Sequence, residues 1–167
     1  FVDDNSPDGT GEILENLKNQ NANLKVIHRE GKLGLSSAVI LGTRFADGNI
    51  IGVMDADFSH PIEKIGVMYN LICNGKEMVI GSRYVAQGGI VGWGFFRKIL
   101  SKGATILASI FTKVKDPMSG FFLTKIEFFK NPNINPKGFK ILLELLIKNN
   151  ITKIEEVPII FINRKIG

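Results

Sequence analysis

One cysteine in 167 residues leaves no partner for an internal disulfide. Cys73 follows the apolar stretch Val67 to Ile72 and reads as a core thiol in a reducing compartment. The two histidines, His28 and His60, have no partners at metal-ligand spacing, so both read as ordinary core or turn residues. No run approaches the roughly 20 apolar residues of a membrane-spanning helix. The nearest candidate, Gly103 to Phe111, is too short, so residues 1–167 are not expected to cross a bilayer. Lys and Arg exceed Asp and Glu by five charges, but they are not interleaved with aromatics in a stripe, which disfavours nucleic acid. The same excess suits phosphate-bearing partners or an anionic membrane surface. There is no internal repeat, low-complexity tract or interdomain linker. There is also no initiating Met and no visible signal peptide; the chain opens mid-strand on Phe1-Val2, as a piece of a longer protein would.

What is present is enough apolar content, 44%, to bury the core of one domain covering 1–167. Helical and strand patterns alternate, the signature of a mostly parallel α/β sheet flanked by helices. Phe1-Val2 is the stub of a strand, and Gly11 to Lys18 has Ile13, Leu14 and Leu17 at helix spacing with Thr10 as N-cap. Leu24 to Ile27 is strand-like, Leu35 to Phe45 helical, Asn49 to Met54 a strand, and Pro61 to Cys73 a helix. Glu77 to Ile80 follows as a strand. A Gly-rich stretch over residues 87–94 then precedes a long amphipathic helix, Phe95 to Thr112. Phe121 to Leu123, Lys137 to Lys148 and Glu156 to Asn163 read as strand, helix and strand.

Asp55-Ala56-Asp57 closes the strand Asn49 to Met54. Two carboxylates one residue apart at the carboxyl edge of a sheet are hard oxygen ligands, suited to a divalent cation and through it to a diphosphate. An acidic turn leading into the next helix explains the same residues. Asp3-Asp4-Asn5-Ser6-Pro7-Asp8-Gly9-Thr10 lies where a strand passes into a helix. Its carboxylates would repel a phosphate but accept hydrogen bonds from a sugar hydroxyl or a base N–H. An Asx-rich turn accounts for Ser6, Pro7 and Gly9 equally well. Arg29-Glu30-Gly31-Lys32-Leu33-Gly34 offers charge and close backbone approach, without the spacing of a dinucleotide fingerprint or a P-loop.

Arg83 in Gly-Ser-Arg-Tyr, with Arg97 and Ser101 one turn apart on a helix, could hold a second phosphate; a solvated polar face is the alternative. Phe96, Ile99, Leu100, Leu107 and Ile110 on that helix, with Trp93 at its start and Lys98 and Lys102 nearby, fit a membrane interface or a core contact. Asp116-Pro-Met-Ser-Gly-Phe-Phe could set Asp116 beside a reacting centre. Glu144 reads as a helix-face partner of Lys148.

Together these segments, with Trp-Gly-Phe-Phe-Arg-Lys-Ile-Leu-Ser, Lys-Gly-Phe-Lys-Ile-Leu-Leu-Glu and Glu-Val-Pro-Ile-Ile-Phe, resemble the dolichyl-phosphate (polyprenyl-phosphate) mannosyltransferases of glycosyltransferase family 2. The resemblance implies a GT-A fold with a Rossmann-like sheet, here lacking its first strand. It also implies metal-dependent, inverting transfer of mannose from GDP-mannose to a dolichyl or other polyprenyl phosphate at the cytoplasmic face of a membrane. By position, Asp55 and Asp57 would hold Mg²⁺ or Mn²⁺ on the donor, with Asp57 close to catalysis. Asp4 would contact the nucleoside, and Lys32 and Arg164 the donor side. Arg83, Arg97 and Ser101 would hold the acceptor phosphate, and Asp116 would orient or assist catalysis. A membrane-anchoring domain or subunit outside these residues is a further expected partner.

The sequence departs from the family in having Ser36 where glycine is common, and in lacking the upstream Pro-x-x-Asn-Glu segment and the basic tail. A glucosyl-transferring relative, a phosphoacceptor receiver domain, a haloacid-dehalogenase-type phosphatase and a non-catalytic partner retaining the fold are the alternatives. The receiver reading has no use for Asp57 or for residues 116–164, and the phosphatase reading lacks a downstream acidic pair.

Overall fold

The structure is a computed structural model that describes residues 1–131, 133, 134 and 140–163. In chain order its elements are β1 (Val2–Asp3), α1 (Thr10–Gln20), β2 (Ile27–His28), α2 (Leu35–Arg44), β3 (Ile50–Val53), α3 (Lys64–Cys73), β4 (Met78–Ser82), β5 (Gly89–Val91), α4 (Phe95–Ala108), β6 (Phe122–Lys125), α5 (Ile141–Lys148), β7 (Ile154–Pro158) and β8 (Ile160–Ile162). They fall into two compact units: residues 1–48 with 135–141, and residues 49–134 with 142–167.

In the first unit β1 and β2 pair in parallel, Val2 opposite Ile27 and Asp3 opposite His28. Helix α1 starts at Thr10, so Thr10 is its first residue and not its cap. Asp8 does the local work, its Oδ1 accepting the Thr10 N–H at 3.1 Å and the Thr10 hydroxyl at 2.6 Å. Of the expected apolar stripe only Leu14 is buried, while Ile13 and Leu17 are exposed. Ser36 is fully buried in α2, and its hydroxyl has no hydrogen-bond partner among the described residues.

The second unit is built on a four-stranded sheet in the order β3-β6-β4-β7. Strands β4 and β7 are parallel, and β6 runs antiparallel to both β3 and β4. Three strands therefore share one direction, with β6 inserted in reverse between two of them. Phe122 of β6 stands opposite both Val53 and Ile80, so β3 ends level with Ile80, and β4 runs two residues further, to Ser82, against β7. Residues 54–57 and 83–84 consequently leave the sheet at the edge where the chain enters β6.

The register is stabilised by a core of Met68, Ile72, Val79, Phe121, Leu123, Val157 and Ile159. Every residue of β4 is buried, as expected for a strand covered on both faces. A Cβ at Gly81 would stand 2.6 Å from Phe121 Cδ1, so the Phe121 ring occupies space that only glycine leaves there.

Several element boundaries differ from the periodicity. Helix α3 starts at Lys64 because Pro61 and Ile62 first form tight turns, with Lys64 N–H bonded to Pro61 O and Ile65 N–H to Ile62 O. Helix α4 stops at Ala108, and Ser109 to Phe111 continue only as turns. The expected strand Glu156 to Asn163 is two strands, because the chain changes partner after Pro158: β7 pairs with β4, and β8 pairs in parallel with β5 in the Gly-rich stretch. The expected start of the last helix at Lys137 lies outside the described residues. Cys73 is exposed and is no core thiol. Met68 and Ile72 form the buried row of α3, and the next residue along a helix is turned by about 100° from that row.

Phe121→Ala is expected to lower unfolding stability by about 3–5 kcal/mol, measured by urea titration.

Candidate active site

The acidic edge follows from the end of β3. Beyond Val53 the chain leaves the sheet and turns through Asp57, whose Oδ1 accepts the Ser59 N–H at 3.0 Å. Phe58, at φ 59° and almost fully exposed, completes the turn in a left-handed conformation that few non-glycine residues adopt. The turn brings His60 back under the sheet edge. Its buried ring has Nε2 3.3 Å from Asp55 Oδ2. Gly120 lies against this pair, since a Cβ there would stand 3.2 Å from Asp55 Oδ2.

Asp55 and Asp57 are both partly exposed, and each is held by one donor, so each keeps acceptor capacity. As a donor set they fit a hard divalent cation, which prefers carboxylate oxygens. Among the described residues no group of three or more His, Cys, Asp or Glu could close a cage around a metal. The remaining ligands of a bound cation would therefore be water or substrate oxygens, an arrangement that suits Mg²⁺ and its relatives.

At the end of β4 stands a buried ion pair. Asp116 is fully buried. Its Oδ2 accepts the Arg83 backbone N–H at 2.9 Å and Nε–H at 2.7 Å, and its Oδ1 accepts Nη2–H at 2.7 Å. Burial acts to lower the Arg83 pKa, but the hydrogen bonds and charge of Asp116 outweigh it and the net shift is upward. The loop carrying Asp116 is itself held: Glu156 of β7 accepts the N–H groups of Lys115 and Asp116 at 2.8 and 3.0 Å. The Ser119 hydroxyl donates to Gly81 O at 2.7 Å. With no exposed surface and both oxygens taken, Asp116 orients Arg83 and touches nothing outside the protein.

Trp93 gathers the basic groups. The Arg97 guanidinium carbon lies 4.3 Å from its ring centroid and that of Arg83 5.5 Å, both in cation–π range. Phe161 packs edge-on at 5.4 Å. Arg97 Nη1 donates to Asn163 Oδ1 at 3.0 Å, and the hydroxyls of Tyr84 and Ser101 are 2.9 Å apart. Arg83, Arg97 and Ser101 are thus tied into one cluster through Trp93 and Tyr84. Trp93 as a platform, Asn163, Glu156 and His60 belong to the site but are not marked by local sequence pattern; the lone Trp four residues before Arg97 is the available signal. Arg164 lies outside the described residues.

In the first unit Asp4 is braced by Arg29, whose Nε donates to Asp4 Oδ1 at 2.6 Å while Nη1 donates to the Ser37 hydroxyl at 2.6 Å. The Arg29 side chain is 6% exposed, so it organises the loop and is not a free charge for a ligand. Lys32 is exposed in that loop. Asp3 is buried, and hydrogen bonds from Ser6, with a smaller contribution from His28, hold its carboxyl below the usual range against the opposing effect of burial.

A family model described as glycosyl transferase family 2 matches residues 1–131. Curated relatives named dolichol-phosphate mannosyltransferase are 46% identical over 164 residues in Pyrococcus furiosus, 42% over 172 in Mycosarcoma maydis and 39% over 170 in Saccharomyces cerevisiae. These alignments take in 96%, 100% and 96% of this chain but 46%, 58% and 63% of the relatives. The chain therefore spans about half the length of the curated relatives it matches. Among solved structures, glucosyl-3-phosphoglycerate synthase from Mycobacterium tuberculosis, in complex with Mn²⁺, UDP-glucose and phosphoglyceric acid, aligns with a TM-score of 0.64 at 17% identity. That alignment covers 98% of this chain and 60% of that one. At this identity the likeness is one of fold, the α/β GT-A arrangement.

Asp116→Asn would leave the Arg83 guanidinium buried beside a neutral amide. It is expected to cost about 3 kcal/mol of stability, read from the shift of the urea midpoint at unchanged slope.

Proposed function

The chain belongs to glycosyl transferase family 2, and from that premise we propose that the protein transfers mannose from GDP-mannose to a dolichyl or other polyprenyl phosphate. The observation that carries this reading is a basic cluster, Arg83 and Arg97 on Trp93 with Ser101 beside Tyr84, at the sheet edge that also bears Asp55 and Asp57. One group of side chains suits an anionic acceptor, the other a cation-bound anionic donor.

In the proposed reaction an oxygen of the lipid phosphate attacks the anomeric carbon from the face opposite the nucleotide. The bond from that carbon to the diphosphate oxygen breaks, GDP departs with the electron pair, and the configuration inverts. A phosphate monoester has a second pKa of about 6, so the attacking oxygen is already largely deprotonated near neutrality. No strong protein base is then required, which agrees with Asp116 being buried against Arg83. Asp55 and Asp57 would hold Mg²⁺ or Mn²⁺, which when bound supplies positive charge to the departing diphosphate. Asp4 is assigned to the nucleoside, Lys32 and Arg164 to the donor side, and Arg97 and Ser101, with Arg83, to the acceptor phosphate.

Helix α4 supports a lipid acceptor. Its large apolar side chains Phe95, Phe96, Ile99, Leu100, Ile106 and Leu107 are exposed alongside Arg97, Lys102 and Gly103, whereas the small residues Ser101, Ala104 and Thr105 are half-buried and Ala108 is buried. That is the reverse of the pattern expected of a helix facing water. Lys102 and Lys113 beside it are exposed and suit an anionic leaflet, which favours the cytoplasmic face of a membrane.

The test is transfer of radiolabelled mannose by the full-length protein to a polyprenyl phosphate, with UDP-glucose as competing donor. Transfer is expected from GDP-mannose with Mg²⁺ or Mn²⁺, and none in EDTA. Transfer from UDP-glucose alone would overturn the choice of donor. Arg97→Ala is expected to raise the acceptor KM tenfold or more at unchanged GDP affinity, whereas equal loss of both would remove Arg97 from the acceptor site. Exchanging Phe96, Leu100 and Leu107 for Ser is expected to reduce co-sedimentation with anionic lipid vesicles; undiminished sedimentation would count against α4 as the lipid-facing surface.

A further inference from the structure

His60 is a buried polar ring in a slot otherwise made of phenylalanine. It lies between Phe121 and Phe161, with ring centroids at 5.3 and 5.2 Å. Its Nδ1 is buried and has no hydrogen-bond partner among the described residues. A phenylalanine would fill this place without burying an unpaired nitrogen, so the imidazole costs stability that packing does not return. What it gains is at the other nitrogen, Nε2, 3.3 Å from Asp55 Oδ2.

The proton position follows from the surroundings. With the proton on Nδ1, a donor would be buried without an acceptor, and two lone pairs, on Nε2 and Asp55 Oδ2, would face each other. With the proton on Nε2 His60 donates to Asp55 and the facing lone pairs are removed, leaving only an unpaired acceptor at Nδ1. Gly120 closes the neighbouring space, since a Cβ there would meet Asp55 Oδ2 at 3.2 Å and His60 Nε2 at 3.6 Å. The carboxylate is therefore confined by His60 and by the Gly120 backbone, while the side chain stays 39% exposed.

We propose that His60 is a positioning residue: its Nε2–H, backed by the Phe121–Phe161 slot and the glycine at 120, holds Asp55 in the orientation that receives a divalent cation. The proposal rests on the donor-metal reading above. It also gives a reason for the glycine of the Asp-Pro-Met-Ser-Gly segment, which leaves room for the bonded pair. Hydrogen-bond partners of ligating carboxylates commonly change metal affinity by about 10–100-fold when removed.

The test measures GDP binding to the full-length protein by calorimetry, once with saturating Mn²⁺ and once with EDTA. The ratio of the two affinities isolates the metal's contribution from folding and from nucleotide contacts. His60→Phe keeps a ring in the slot and removes the donor; its ratio is expected to fall about tenfold or more, with GDP affinity in EDTA unchanged. His60→Gln restores an N–H near the same place and is expected to recover most of the ratio. Gly120→Ala keeps the donor but presses on Asp55 Oδ2 and, less closely, on His60 Nε2, and is expected to lower the ratio as well. A native ratio in His60→Phe, or a loss in His60→Gln as large as in His60→Phe, would overturn the proposal while leaving the metal site standing. If the native protein gains nothing from Mn²⁺, the metal reading itself fails and the role of His60 falls with it.

Discussion

The buried pair of Arg83 and Asp116 is the constraint on which the second unit's site depends. A carboxylate with no exposure is tolerable only when its charge is matched and its lone pairs are filled, and Asp116 meets both conditions through three bonds from one residue. One of those bonds comes from the Arg83 backbone, so the pair fixes where the chain turns after β4 as well as the guanidinium. Glu156 extends the constraint to β7 by holding the loop from the other side. Reversal of β6 makes the arrangement possible, because it delivers the Asp116 loop, Gly120 and Phe121 to the edge where β3 and β4 end. A parallel strand in that place would send its entry to the opposite edge.

Much of this was legible in the sequence where a single element decides the outcome. The apolar run before Asp55-Ala56-Asp57 is β3, and Arg97 and Ser101, four residues apart, lie one turn apart on α4. What was not legible depends on contacts across long separations. Arg29 looked like a free cation beside a Gly-rich loop and is instead the brace of Asp4, 25 residues away. His60 has no metal-spaced partner, and its importance comes from Phe161, a hundred residues later. Cys73 continues an apolar run yet is exposed, since a run does not reveal which helix face the sheet will cover. The reversal of β6 is likewise invisible to local pattern, because a short buried strand reads the same in either direction.

Aromatic packing connects the two chemical groups of the edge. Phe161 touches the His60 ring at 5.2 Å and the Trp93 ring at 5.4 Å, and it also lies 5.8 Å from the Arg83 guanidinium carbon. The side chain that backs the acidic pair is therefore the one that backs the basic cluster. Its position is set by β8, which exists only because the chain leaves β4 at Pro158 and pairs with β5. The Gly-rich stretch is thus structural before it is anything else: it supplies the strand against which Phe161 is registered.

Charge balance gives these contacts different weights in the proposed reaction. Arg83 and Asp116 together carry no net charge, so Arg83 offers an anion directed N–H groups more than compensating charge. Among the described residues Arg97 has no carboxylate partner; it rests on the neutral Trp93 and donates to the neutral Asn163. Its positive charge therefore remains available to an approaching phosphate. Asp55 and Asp57 add negative charge at the same edge, which would disfavour any anion unless a cation intervened. In the proposed reaction Arg97 would draw the acceptor phosphate, while a divalent ion on the acidic side would offset the Coulomb repulsion between Asp55, Asp57 and the donor diphosphate.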